Sequence, residues 1–458
     1  MGLDCLREDF PGSAKIFRAG TLCCDSRGTR GAKNPTRLQK IHAPAIEHLF
    51  PEAASMSKVT SLLGAISEVG RDASRGGYSR PVYSTAELDL RSWFIAEAER
   101  RGLAVNTDRN GIIWAWYGPE QDDSLVTGSH LDSVPGGGAF DGPLGVAAAL
   151  AAVDELRARG VEPGRNGKRS LAVTVFPEEE GSRFGIACLG SRLLTGAIDA
   201  DKARNLKDAE GNSFAELSAR NGLSAERLGA DPEGLARIGQ FIELHVEQGR
   251  GLIELDSPVA VAGSILGHGR WKFTISGQGN HAGTTLMTDR ADPMVAAAQI
   301  ILSAQKVAAA QSEARATVGR LQPIPGGTNV IASRVELWLD VRHPDDAVTA
   351  AVVQKIHGQA QIAAANEGCT VTLTEESLSP TTGFDQGLAA ELQRLLPAAP
   401  VLDSGAGHDA GILASYLPAG MLFIRNPTGI SHSPEEAVED RDADSAAALL
   451  ADVLQGLL

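Results

Sequence analysis

Residues 124–160 read SLVTGSHLDSVPGGGAFDGPLGVAAALAAVDELRARG, and the order of events within them decides the fold class. Ser124–Gly128 is a short apolar run bounded by turn residues, which reads as a buried strand. A Gly-rich loop follows, ending at Gly142. Pro143 then stands in the first turn of an Ala/Leu-rich segment that stops at Gly160, as a helix does with Pro at its start and Gly past its end. Strand, loop and helix in succession are the unit of an α/β layer fold.

The same alternation continues on either side. Ile112–Tyr117, Leu171–Phe176, Phe241–Val246 and Met421–Ile424 are further β-rich runs between turn residues, and their C-terminal ends are where chemistry is expected. Residues 267–376 carry an order of their own. Strands are expected at Arg270–Ile275, Arg315–Leu321, Arg334–Val341 and Thr370–Glu375, and helices at Pro293–Ala310 and Asp346–Glu367. That is β-α-β-β-α-β, a ferredoxin-like module. The expected organisation is therefore a large domain, 56–266 with 377–458, its central mixed sheet flanked by helices, and an inserted module at 267–376. Residues 1–55, with eight Lys/Arg against six Asp/Glu and three of the five cysteines, show no sustained apolar period and are expected to form a flexible extension, the fold starting near Met56.

Composition narrows the function. The chain has 458 residues and a formal charge of −15, which repels phosphate backbones and anionic membrane surfaces, so neither nucleic acid nor membrane is an expected partner. Five cysteines without C-x-x-C spacing support neither a disulfide framework nor a zinc finger and fit a reducing cytoplasm. No apolar run reaches the roughly 20 residues of a membrane span.

Chemistry-bearing residues cluster after the expected strands. Gly128-Ser129-His130-Leu131-Asp132 and Gly138-Ala139-Phe140-Asp141-Gly142 place a His and two carboxylates on one glycine loop, where they can converge on a cation with Asp132 steadying the His130 ring. Alone, an H-x-D is also an ordinary surface turn. Glu178-Glu179-Glu180 follow a buried strand, and packing like charges there is costly unless a metal or proton neutralises some. A solvated acidic turn is the bland alternative. Glu243, His245 and Glu247 alternate on one strand face, which a satisfied core histidine would also explain. Gly407-His408-Asp409 and Ser431-His432-Ser433-Pro434-Glu435-Glu436 add a histidine each. The whole set, recurring at strand ends of one domain, is what a dinuclear metal hydrolase requires.

Seven motifs in order carry a resemblance: H-x-D, Gly-Gly-x-Phe-Asp-Gly, Glu-Glu-Gly-Ser-Arg-Phe, His-x-Glu-Gln-Gly, His-Ala-Gly-Thr-Thr, Leu-Asp-x-Arg-His and Ser-His-Ser-Pro-Glu. Over residues 56–458 the chain resembles the amidase/hydantoinase/carbamoylase family of dinuclear metallohydrolases, whose members include allantoate amidohydrolases and N-carbamoyl-L-amino acid hydrolases. The resemblance implies two divalent ions per subunit, Zn²⁺ or Mn²⁺ with Co²⁺ or Ni²⁺ also compatible. His130, Asp141 and His245 would bind one and Asp141, Glu180 and His432 the other, Asp141 bridging. Glu179 would be the general base. Related dinuclear peptidases generally place a carboxylate where His245 stands, so this residue points to the ureido branch.

The resemblance also implies a substrate carboxylate clamp at Arg342, for which an ion pair with Asp340 or Asp345 is the bland alternative. Gln248, Asn329, Gly407 and His408 match other substrate-contacting positions. His281 would be donated to the partner's active site across a homodimer built on the inserted module. Leu286 and Ala332 depart from residues, mostly Pro, found in many members. The substrate expected from this set is a small ureido acid, allantoate first, releasing ammonia and carbon dioxide, and N-carbamoyl-L-amino acids second. A non-catalytic binding protein on the same fold would be expected to have lost a ligand position, and none is lost.

Overall fold

Among the described residues the central sheet has nine strands. In spatial order they are Ala104–Thr107, Ile113–Tyr117, Leu171–Phe176, Ser124–His130, Ile238–Val246, Ala419–Ile424, Val259–Ile265 and Thr382–Gly383, with Val401–Ser404 also paired to Val259–Ile265. This computed structural model describes residues 58–458. The expected extension 1–55 and the expected start at Met56 lie outside the described residues.

Leu171–Phe176 and Ile238–Val246 both run parallel to Ser124–His130, and Ala419–Ile424 runs parallel to Ile238–Val246. Four C-terminal ends therefore share one edge. Antiparallel strands complete both sides, so the sheet is mixed. Its middle strands are apolar because both faces are covered. Ile113 and Ala115 face the helices Val59–Ala65, Thr85–Arg100, Pro143–Ala158 and Asp440–Leu457. Trp114 and Trp116, one residue out of step, join Phe176, Phe241 and Leu413 on the opposite face.

A second sheet of four antiparallel strands lies between Gly267 and Ser379, in the order Thr370–Ser379, Gly267–Ser276, Arg334–His343, Arg315–Ile324. Pro293–Ala309 and Asp346–Asn366 cover one face. Alternation sets which face that is: Trp271, Phe273 and Ile275 of one strand and Val335, Leu337, Leu339 and Val341 of its neighbour are buried, while Arg270 and Ser276 are exposed. The strands run longer than their apolar cores suggest. Thr370–Ser379 continues four residues beyond the expected Glu375 through a bulge between Glu375 and Ser377, because ladder hydrogen bonds continue after the alternation fades. Val259–Ile265 and Val401–Ser404, short and not strongly β-patterned, are found only in the structure.

Candidate metal and catalytic site

His130 is the last residue of Ser124–His130, and His245 the penultimate residue of Ile238–Val246. Glu178–Glu180 follow Phe176, and the loop after Ile424 supplies residues 431–436. Parallel pairing alone brings these segments to one edge. Asp141 enters on the Gly-rich loop. Gly142, at φ 86°, packs so closely that a Cβ would lie 2.6 Å from the His130 ring, and a Cβ on Gly138 would lie 2.2 Å from a Glu436 carboxylate oxygen. The glycines are what let the loop approach.

Two groups of donor atoms form, each within 4.8 Å: His130 with Asp141 and His245, and Asp141 with Glu180 and His432. Asp141 belongs to both. Its Oδ1 is 3.3 Å from His245 Nε2 and 3.5 Å from His130 Nε2, and its Oδ2 is 3.4 Å from His432 Nε2. Glu180 Oε2 is 3.3 Å from the same His432 nitrogen. The other ring nitrogens are held by carbonyls: His130 Nδ1 lies 3.0 Å from Asp132 O and His245 Nδ1 2.9 Å from Val246 O. A proton on each Nδ1 leaves both Nε2 lone pairs directed at Asp141. His432 adopts a left-handed backbone at φ 57°, a conformation a His tolerates at some cost, here fixing its ring beside Glu180.

Electrostatics point the same way. Burial raises the proton affinity of Glu179, reinforced by Glu180 and Asp409. Burial opposes charge on His130 too, yet Glu179, Asp141 and Asp132 outweigh it and hold its pKa well above the usual imidazole value. His432 is pushed up to about 9, chiefly by its hydrogen bond to Glu180. Four carboxylates and three histidines gathered here compete for protons that divalent cations would replace. Imidazole and carboxylate donors suit Zn²⁺ or Mn²⁺, and the residues present fit such ions. A third group, Glu243, His245 and His408, also lies within reach of one point. It shares His245, and both Glu243 oxygens already accept hydrogen bonds, from Ser129 Oγ at 2.8 Å and Ala410 N at 3.0 Å. Glu243 is thus satisfied within the core.

The three adjacent glutamates divide their tasks. Glu179 stands over the first donor group, Oε2 3.6 Å from His130 Nε2 and Oε1 3.7 Å from His408 Nδ1. Glu180 joins the second. Glu178, fully buried, instead accepts from the backbone N–H of Arg183 and Phe184 and braces the turn. Glu247 likewise accepts from Gly251 N and Leu252 N at the start of a short helix.

Asp132 meets the His130 ring through its carbonyl, which leaves its carboxylate for a second task. Its carboxylate stands 3.7 Å from His130 Nδ1, which bonds the Asp132 carbonyl, and accepts instead from Glu179 N at 3.2 Å and Glu180 N at 3.1 Å. Two converging N–H groups hold a buried carboxylate better than one ring edge. Asp132 thus positions the Glu179–Glu180 turn. Glu436 plays the matching part for Asp141: its Oε1 accepts from Phe140 N at 2.9 Å and Asp141 N at 3.0 Å. Nothing in its own neighbourhood of sequence marks it apart from Glu435.

A cavity of about 170 Å³ adjoins these groups, lined by Glu179, Glu180, Gln248, Arg342, Gly407, His408 and His432 among others. Gln248 Nε2 donates to Asp141 Oδ2 at 2.6 Å. Arg342 makes the ion pair weighed against its binding role, Nε to Asp340 Oδ1 at 2.8 Å, and also donates to Gly405 O at 2.6 Å, while still lining the cavity. His408 is buried with neither ring nitrogen bonded among the described residues, and burial beside His245 keeps it neutral, its pKa well below the usual value. His281 and Asn329 do not line this cavity. Both are exposed and lie at the short ladder of Asn280–His281 with Val330–Ile331, where His281 pairs with Val330 and Ala282 N donates to Asn329 O at 3.0 Å.

The sequence pattern of peptidase family M20/M25/M40 matches residues 126–456. The chain is 36% identical over 391 residues to an N-carbamoyl-L-amino acid amidohydrolase of Geobacillus stearothermophilus, covering 84% of this chain and 94% of that one. It is 32% identical over 399 residues to an allantoate amidohydrolase of Escherichia coli K12, covering 86% and 95%. Among solved structures, AtUAH in complex with glyoxylate superposes with a TM-score of 0.78 at 29% identity, over 88% of this chain and 98% of that one. A hydantoinase/carbamoylase family amidase from Burkholderia multivorans gives 0.73 at 29% identity, over 86% and 96%.

Proposed function

This chain belongs to peptidase family M20/M25/M40, and on that premise we propose that it is a dinuclear amidohydrolase of small ureido acids, with allantoate its preferred substrate. The family is metal-dependent, and the amidohydrolase relatives make the chain an enzyme of amide or ureide bonds. The observation that carries the finer reading is Asp141, shared by two donor groups beside Glu179.

His130, Asp141 and His245 would hold one cation and Asp141, Glu180 and His432 the second, a pair that acidifies water and stabilises charge on a carbonyl oxygen. Glu179 takes the proton of the water that attacks the ureido carbon and delivers it to the leaving nitrogen. Its burial favours that task, since a raised proton affinity lets it keep the proton between the two steps. Gln248 orients Asp141, and Asp132 and Glu436 fix the backbone that carries Glu179, Glu180 and Asp141. Hydrolysis of one ureido arm releases ammonia and carbon dioxide.

The substrate carboxylate is assigned to the planar fork of Arg342, already oriented by Asp340 and the Gly405 carbonyl. His408, with two unpaired ring nitrogens, and Gln248 are assigned to ureido groups. His281 and Asn329 are assigned to the active site of a partner in a homodimer. Exposed Leu286, Met287, Met294, Leu302 and Val330, all between Gly267 and Ser379 with the second sheet, support a contact there. A second reading, N-carbamoyl-L-amino acids, is favoured by Ile265, Leu266 and Ile412 in the cavity wall.

The test is a screen of metal-reconstituted protein for ammonia release, comparing kcat/KM for allantoate with N-carbamoyl glycine, alanine and methionine, with dipeptides and N-acyl amino acids alongside. Allantoate is expected to lead. A higher value for a carbamoyl amino acid overturns the substrate, and activity confined to dipeptides or N-acyl amino acids overturns the ureido reading.

A further inference from the structure

The cavity holds three arginines, Arg192, Arg270 and Arg342, and they are not equivalent. Arg342 and Arg270 share Asp340 as counterion, at 2.8 and 3.7 Å. Arg192 has no carboxylate within ion-pair reach among the described residues. Its Nε donates to Ala187 O at 2.9 Å, and its terminal nitrogens have no hydrogen-bond acceptor among the described residues. It is half-buried. Its terminal nitrogens are therefore open to the cavity, where a ligand oxygen can take the place of water without breaking any bond within the protein.

Its position is fixed by the catalytic turn. The helix Leu189–Thr195 begins where Cys188 N donates to Glu179 O at 2.7 Å and Leu189 N to Glu178 O at 3.0 Å. Next to Arg192, the Ser191 hydroxyl donates to the buried Asp409 carboxylate. Arg192 therefore moves with Glu179 rather than with the strand that carries Arg342.

Allantoate presents a carboxylate, two ureido arms and a hydrogen on one carbon. With the carboxylate at Arg342 and one arm at Glu179, the remaining arm must meet a third wall. A carbamoyl amino acid would put its side chain there. We propose that Arg192 is the specificity-determining residue for this third substituent, donating to the carbonyl oxygen of a second ureido arm. The inference rests on the ureido-acid reading and sharpens it to a class: substrates whose third group accepts hydrogen bonds.

The experiment measures kcat/KM for allantoate and for N-carbamoyl-L-methionine on wild type, Arg192→Met and Arg192→Lys, with thermal melts of all three. Arg192→Met is expected to lose about 10- to 100-fold on allantoate, mostly in KM, and to change less than about threefold on N-carbamoyl-L-methionine. Arg192→Lys should recover part of the loss. Equal falls on both substrates, or no fall on allantoate, overturn the inference while wild-type activity leaves the functional reading standing. Wild type inert on both substrates overturns the functional reading itself, and the Arg192 assignment with it.

Discussion

At the edge of the large sheet, His130, Asp141 and His245 are buried and stand within 3.5 Å of one another through Nε2 and Oδ1. On the rim of the second sheet, His281 and Asn329 are exposed, and His281 Nδ1 accepts from Gly283 N at 3.1 Å within its own loop. Both regions were expected to supply catalytic groups. The contrast teaches how each can work. The sheet edge assembles its polar groups during folding, each carboxylate steadied by backbone N–H groups or an imidazole. The rim groups are oriented only by their own loop.

The sharpest way to break this contrast is to empty the edge. A chelator should abolish ammonia release completely, and Zn²⁺ or Mn²⁺ should restore it, with metal analysis of active protein giving two ions per chain. A stoichiometry of one or none removes the bridging role of Asp141. Next in size, Glu179→Gln should keep both ions yet lose about 10³-fold or more in kcat, because the proton shuttle goes and no donor does. Substantial residual turnover would move the base elsewhere in the cavity.

The rim is tested by His281→Ala, expected to cost about 10²- to 10³-fold as an oxyanion donor would. Mixing it with Glu179→Gln should regain activity, since one site of a mixed dimer has both groups. Verified heterodimers that stay inactive would confine His281 to its own loop. The smallest expected effect belongs to Glu436→Ala, which leaves the Phe140 and Asp141 N–H groups without their acceptor. Metal affinity should fall about 10- to 100-fold, read by competition with a chromophoric chelator. Unchanged affinity would mean that the loop is held by its glycines alone.

What was legible follows from range. The runs Leu171–Phe176 and Ser124–Gly128, and the helix from Pro143, could be read directly because apolar period, Pro and Gly act on their immediate neighbours. The donor residues were legible as a set because polar groups at the ends of buried strands need a reason to be there. The strand Val401–Ser404 was not, since its β character comes from pairing with Val259–Ile265, a partner about 140 residues away.

By itself the sequence determined the α/β class and the strand ends at which the histidines and carboxylates sit, both consequences of local pattern and composition. Only the tertiary structure showed that Glu178, which no motif sets apart, is consumed by backbone N–H groups. It alone gave the Asp132 carboxylate to the N–H groups of the next turn, and brought Glu436 to a loop 295 residues earlier in the chain. The physical reason is that a carboxylate's role is set by the nearest donor in space. That donor is chosen by strand pairing and loop closure across hundreds of residues, where no periodicity in the chain records it.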